Sequence, residues 1–178
     1  MRKIIFLLLS IFAINTTSAQ FCSARINALA AMTGTLDVGL DVALTDNITL
    51  DIAAHYNPIS TESLALKNYG TEVGVKCWMF ENFVGHFVGS QLGYTAYDVG
   101  NEARRYDGES FRWGVSYGYT WILSVHWNVA AEVGFGLRYT RDEEYDPTPD
   151  EWETEYIYHH KRIAFSPTRI GLTFNYLF

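Results

Sequence analysis

The chain has 178 residues, of which 48% are hydrophobic, 16% aromatic and only 19% charged, with a net charge of −7. So apolar a chain buries enough surface to offset its ordering entropy, which excludes disorder, and its acidity argues against a nucleic-acid partner. The length suits one domain. Twelve Tyr, eleven Phe, five Trp and fourteen Gly lean towards β-structure.

Arg2 and Lys3 precede an apolar run over residues 4–14, and a polar stretch then ends in Thr17-Ser18-Ala19. This reads as a secretory signal peptide over residues 1–19, leaving 20–178 as the mature domain. The apolar core of about 11 residues is too short for a membrane anchor, and no later run approaches the roughly 20 residues of a transmembrane helix. Ala19-Gln20-Phe21 lacks the small residue that lipid attachment at Cys22 requires. Losing Arg2 and Lys3 leaves 11 bases against 20 acids, net −9. Eight of those acids lie between Arg141 and Glu155, against the one base Arg141.

From there period-2 alternation dominates, and no segment requires an α-helix. An alanine-rich strand over 24–32 places Arg25 and Asn27 on its polar face. Leu36, Val38, Leu40, Val42 and Leu44 then oppose Asp37, Gly39 and Asp41, and Ile48, Leu50, Ile52, Ala54 and Tyr56 oppose Thr49, Asp51, Ala53 and His55. Over 70–79, Val73, Val75, Cys77 and Met79 oppose Glu72, Gly74 and Lys76. Over 83–97, Gly85, Gly89, Gln91 and Gly93 share a side, with His86 and Phe87 on the sides one would not choose. Three strands close the chain. Trp113, Val115 and Tyr117 oppose Arg112, Gly114 and Ser116; Val133, Phe135 and Leu137 oppose Glu132, Gly134 and Arg138; Ile170, Leu172, Phe174, Tyr176 and Phe178 oppose Gly171, Thr173, Asn175 and Leu177.

The count is eight. Tight turns are expected at 45–47, 80–82 and about four residues around Ser124-Val125. Long polar connections are expected at 58–69, 98–110 and 141–162, with a short exception at Thr33-Gly34-Thr35. Short turns at one end and long loops at the other are the connection pattern of an eight-stranded antiparallel up-and-down transmembrane β-barrel of the outer-membrane type. That reading places the protein in a bacterial outer membrane among its lipids, with the long loops extracellular and both termini periplasmic.

Glycine and charge decide which face is inside. Gly39, Gly74, Gly114, Gly118, Gly134, Gly136 and Gly171 share the polar face, where the narrow interior of a small barrel needs them. Arg25, Lys76, Arg112, Arg138 and Arg169 lie there with Asp37, Asp41, Asp51, Glu72 and Glu132. A base facing lipid near mid-depth costs about 2–4 kcal/mol, so ten outward charges would exceed the roughly 5–15 kcal/mol that holds a domain folded. Turned inward they form a neutral network that plugs the lumen. Aromatics on the other face gather at two levels, Tyr56, Tyr94, Trp113 and Tyr139 against Trp121, Trp127, Tyr176 and Phe178, as in interfacial girdles. The terminal Phe178, behind Ile170, Leu172, Phe174 and Tyr176, resembles the signal read by the barrel assembly machinery.

Tyr56-Asn57-Pro58, Gly85-His86-Phe87-Val88-Gly89, Tyr117-Gly118-Tyr119-Thr120-Trp121, Leu123-Ser124 with Trp127, Ser166-Pro167-Thr168-Arg169 and Tyr176-Leu177-Phe178 together resemble a family of small Bacteroidetes-type outer-membrane proteins long filed as a domain of unknown function. The resemblance spans residues 22–178 and rests on the order and spacing of these segments. It implies an outer-membrane barrel, often encoded beside fimbrial subunits, with no established catalytic residues. Family members often carry a Cys before the Ser-Pro-Thr segment, and this sequence has none there.

Little else in the chain carries chemistry. His55 and Glu72, with Ser60 and Ser63 nearby, form the parts list of a lipid-modifying hydrolase, against the commoner reading of a histidine satisfied by a lumenal carboxylate. A narrow gated channel is the other alternative. The acidic run 141–155 has the ligand type that calcium prefers but no EF-hand spacing. Cys22 and Cys77, both expected near the periplasmic rim but on non-adjacent strands, read as two unrelated thiols, with a bridge between them as the alternative. The favoured expectation is a non-enzymatic structural or scaffold protein without cofactor, whose loop aromatics meet a surface or fimbrial protein.

Overall fold

A computed structural model of the chain describes residues 22–61, 63–101, 104–145 and 158–178. Eight strands run through it: β1 Cys22–Asn27, β2 Leu36–Thr45, β3 Ile48–Asn57, β4 Leu64–Trp78, β5 Gly85–Asn101, β6 Arg105–Ile122, β7 Trp127–Tyr145 and β8 Tyr158–Leu177. Each pairs antiparallel with its sequence neighbour, and β1 pairs with β8, so the strands close into a ring. One turn of helix, α1 (Ala28–Met32), joins β1 to β2.

Alternation sets the two faces as expected from sequence. Leu36, Val38, Leu40, Ile52, Val73, Leu92, Trp113, Val115, Phe135 and Phe174 are exposed on the outside, while the alternate polar positions are buried inside. The 83–97 segment resolves in the same way. Phe87 turns inward and is buried, and His86 turns outward against Tyr117 and Tyr119. The Tyr117 hydroxyl lies 2.6 Å from His86 Nδ1, which gives that outward imidazole a polar partner.

Glycine makes room for charge. Arg25 sits across from Gly39, Asp51 from Gly74, Glu72 from Gly93, Lys76 from Gly89, and Glu132 from both Gly118 and Gly171. A Cβ on Gly39 would stand 2.6 Å from Arg25 Nε, and one on Gly93 equally close to Arg112 Nε. These glycines give up side-chain packing so that neighbouring long side chains can cross a narrow interior.

The Ser166-Pro167-Thr168-Arg169 segment is a β-bulge. Phe135 pairs with Pro167 and Gly134 with Arg169, which leaves Thr168 as the extra residue. Thr168 and Arg169 therefore both reach the interior, and Pro167 sits at the bulge, a position where strands tolerate proline.

Three expectations are corrected. The strand expected over 24–32 ends at Asn27, because the Asn27 side chain accepts bonds from Leu29 N and Ala30 N, caps the chain and starts a helix. The connections expected over 58–69, 98–110 and 141–162 are largely strand: β4 starts at Leu64, β5 continues to Asn101, β6 starts at Arg105, β7 runs to Tyr145 and β8 starts at Tyr158. Alternation fails to announce these extensions because residues 94–100 are partly buried on both faces. The turn expected at 80–82 spans 79–84, with Phe83 at φ 67°. The turn expected at 45–47 narrows to the two residues after Thr45, and the four residues 123–126 stand as expected.

Candidate functional site

The interior is built in layers. At the short-turn end Trp78, Phe83, Phe87, Ala130 and Leu177 form an apolar plug. The Trp78 ring packs 4.7 Å from Phe87 and 5.8 Å from Phe83, and its Nε1 donates to Thr49 Oγ1 at 3.1 Å. Sequence reading missed this plug, although its signal was present. Trp78 shares parity with Glu72, Gly74 and Lys76, and Phe87 shares parity with Gly85 and Gly89.

Above the plug lies one connected ion network of eight side chains, four basic and four acidic. Asp41 and Asp51 stand directly opposite each other in the β2–β3 ladder, a like-charge arrangement that destabilises a sheet by itself. Arg25 and Lys76 each contact both carboxylates, at 3.7 and 2.6 Å and at 2.7 and 3.3 Å. Arg169 then joins Asp51 at 2.6 Å to Glu72 at 2.9 Å and Glu132 at 3.2 Å. Arg112 closes on Glu72 at 2.8 Å, and the Ser116 hydroxyl donates to Glu132 at 2.6 Å. The Lys76 ammonium stands 5.5 Å above the Phe87 ring, which links network and plug.

Two of the ten charges read from sequence stand apart. Asp37 accepts a bond from Asn27 Nδ2 at 3.0 Å, and Arg138 donates to the Pro167 carbonyl at 3.3 Å. Neither joins an ion pair among the described residues. Arg138 is expected to pair with Glu132 or another lumenal acid, but among the described residues it meets no carboxylate, and the bulge aims Arg169 at Glu132.

On the loop side of the network is a polar cavity of about 270 Å³ bordered by Asp37, His55, Asn68, Thr95, Arg112 and Arg169. His55 and Glu72 both border it, but His55 Nε2 lies 3.2 Å from Thr95 Oγ1, while Glu72 is held by Arg112 and Arg169. Ser60 and Ser63 are exposed. Beyond the Tyr94 level, burial and then the Asp142 carboxylate push the Tyr97 phenol above its ordinary range. Asp142 is buried beneath Arg162, which donates to it at 3.0 Å, and Glu144 pairs with Arg104.

Among the described residues no group of three His, Cys, Asp or Glu is placed to hold a metal ion; most of the acidic run 141–155 lies outside them. The loop aromatics Trp152 and Tyr156 also lie outside the described residues, as does the expected signal peptide. Tyr69 is exposed, and Tyr97 and Tyr106 are partly buried. Cys22 and Cys77 are free thiols on β1 and β4. Ile170, Phe174, Tyr176 and Phe178 are exposed along the outer face of the last strand and Leu172 partly so, and the Phe178 N–H donates to the Cys22 carbonyl at 2.9 Å.

Comparison with curated proteins and with solved structures finds no match. Residues 4–178 match a family described as a protein of unknown function (DUF3575), and the chain belongs to that family.

Proposed function

We propose that this chain is a non-enzymatic outer-membrane β-barrel that holds a plugged, rigid ring in the bilayer and presents its extended strands to a surface partner. The observation that carries the reading is the inversion of faces: apolar side chains cover the outside, and eight paired charges fill the inside. Soluble monomers rarely expose apolar patches beyond a few hundred Å², whereas a membrane barrel requires this arrangement. Tyr56, Trp113 and Tyr139 at one exposed level, with Trp121, Trp127 and Tyr176 at the other, suit the two headgroup regions.

In this orientation the ends of β4 to β8 rise beyond the upper aromatics into the extracellular space, where a surface or fimbrial protein is the partner class the family resemblance favours. Plug and ion network together argue against general porin activity. The lipid-hydrolase alternative lacks support from the His55 and Glu72 contacts, since Glu72 is committed to two guanidiniums.

The test is fractionation of expressing cells, followed by photo-cross-linking from the exposed Glu143 position in intact cells. Recovery in the outer membrane with a defined surface protein captured is expected. Recovery of the mature chain in a soluble fraction would end the membrane reading. If deleting 142–156 left surface assembly unchanged, the scaffold role would lose its basis.

A further inference from the structure

β1 is 6 residues long and β8 is 20, and this mismatch leaves the ring thin on one side. The β1–β8 ladder runs only from Ser23↔Leu177 to Asn27↔Thr173. Above Thr173, β8 pairs with β7 alone among the described residues. At that level the chain leaves β1 and enters α1, which lies against β8 and β2 without a buried residue of its own. Among the described residues a single weak stitch crosses the seam: Asn27 Nδ2 donates to the Ile170 carbonyl at 3.4 Å as well as to Asp37. Leu29 and Met32 of α1 are 40% and 84% exposed. Hydrocarbon offers no hydrogen bonds to a free strand edge.

The polar cavity lies behind this seam. Its wall includes Ala30 of α1 and Ile170 of β8, the two sides of the gap, as well as Thr95, Arg112 and Thr168 within. About 270 Å³ is slightly below the usual range for a whole small-molecule ligand. That volume suits a polar head whose tail stays outside.

The charges in and beside the cavity are complementary to such a head. Asp37 pairs with no Lys or Arg among the described residues; it borders the cavity directly across the ladder from His55 and accepts a bond from Asn27. Arg112 spends Nε and Nη2 on Glu72, while its Nη1 reaches only Thr95 Oγ1 at 3.4 Å. Directly across the β6–β7 ladder from Arg112 stands Arg138, a like-charge pair that an anion between them would relieve. Neither Arg138 nor Ser166 belongs to the cavity wall, but Arg138 Nε and Ser166 Oγ, on adjoining strands, are buried with no hydrogen-bond partner, and such donors are uncommon enough to need a cause.

We propose that the cavity receives the headgroup of a lipid carrying both a phosphate and an ammonium, drawn in sideways from the outer leaflet between α1 and β8. The phosphate lies against Arg112 and Arg138, the ammonium at Asp37, and the acyl part remains outside along Leu29, Met32 and Ile170. This rests on the membrane reading above.

The test uses the full mature chain, refolded in detergent, with native mass spectrometry against three probes: lysophosphatidylethanolamine, lysophosphatidylglycerol and free O-phosphoethanolamine. One lysophosphatidylethanolamine per chain is expected, held more tightly than either other probe. Arg138→Met should weaken it about tenfold, the scale of one charge-assisted contact. Asp37→Asn should erase the preference over lysophosphatidylglycerol. Ala30→Trp, which fills the seam, should abolish lipid binding while the unheated protein keeps its compact gel mobility. Equal binding of all three probes, or equal binding by wild type and Ala30→Trp, overturns the proposal. Free O-phosphoethanolamine binding as tightly as the lipid would show that the cavity fills from the loop mouth, and side entry would be wrong. A chain that inserts into vesicles yet retains no lipid fails this inference alone, whereas a chain that never inserts fails the membrane reading itself.

Discussion

Arg169→Met isolates what the interior network contributes. Arg169 is the residue through which Asp51, Glu72 and Glu132 are joined, at 2.6, 2.9 and 3.2 Å. Without it, Asp51 keeps Arg25 and Lys76, Glu72 keeps Arg112, and Glu132 keeps only the Ser116 hydroxyl. Three cations then face four carboxylates, and the excess charge sits on a Glu132 side chain that is 5% exposed. Removing one partner of a buried ion pair costs about 3–5 kcal/mol, because the other charge stays desolvated. That is a large share of the roughly 5–15 kcal/mol available to a domain. Adding Glu132→Gln restores the balance to three against three, and the amide oxygen still accepts from Ser116. The double variant is therefore expected within about 1–2 kcal/mol of wild type, and the two substitutions should be strongly non-additive. Urea titration in lipid vesicles, followed by tryptophan fluorescence and by the mobility of unheated samples on gels, measures all three variants. A loss below about 1 kcal/mol for Arg169→Met, or simple additivity in the double, would refute the network as described.

Arg138→Met should cost less than about 1 kcal/mol in the same titration, since its bond goes to the Pro167 carbonyl and no carboxylate is stranded. Gly118→Val should destabilise by about 1–3 kcal/mol or prevent folding, because even a Cβ there would meet Phe87 Cζ at 2.3 Å and the Ala131 carbonyl at 2.7 Å; refolding yield reads this out. Trp78→Ala should cost about 3–5 kcal/mol yet remain non-conducting in planar bilayers, because the ion network closes the ring above the plug. Steady large conductance from that variant would contradict closure in two layers.

Period-2 alternation made the eight strands, their order and the inward charges legible, because each interior position is polar or small and each exterior one apolar over whole strands. The same signal fails wherever the two faces meet similar surroundings. Residues 94–100 and the outer parts of β7 and β8 are strands whose residues alternate poorly, so they read as loops. Parity also cannot see a bulge. One extra residue at Thr168 redirects Arg169 onto Glu132 and leaves Arg138, the nearer base in sequence, without a carboxylate. The Ser-Pro-Thr-Arg segment was noticeable as a pattern, but only the register shows that its proline marks a bulge.

The short first strand is the other feature that alternation concealed, and it links fold to function. Asn27 both ends β1 and caps α1, and its side-chain amide also reaches Asp37 and the edge of β8. A ninefold run of strand over 24–32 would have sealed β8 to the first strand through the outer half of the wall. With the helix in its place, the ring is closed tightly at the plug and the ion network and loosely beside the polar cavity. Rigidity is thus concentrated where charges must stay paired, and the weakest wall lies beside the cavity that Asp37 and Arg112 border. On the proposed membrane reading, the apolar exterior and the polar cavity beside the thinnest wall belong to one arrangement, in which the proposed headgroup site follows from where the first strand stops.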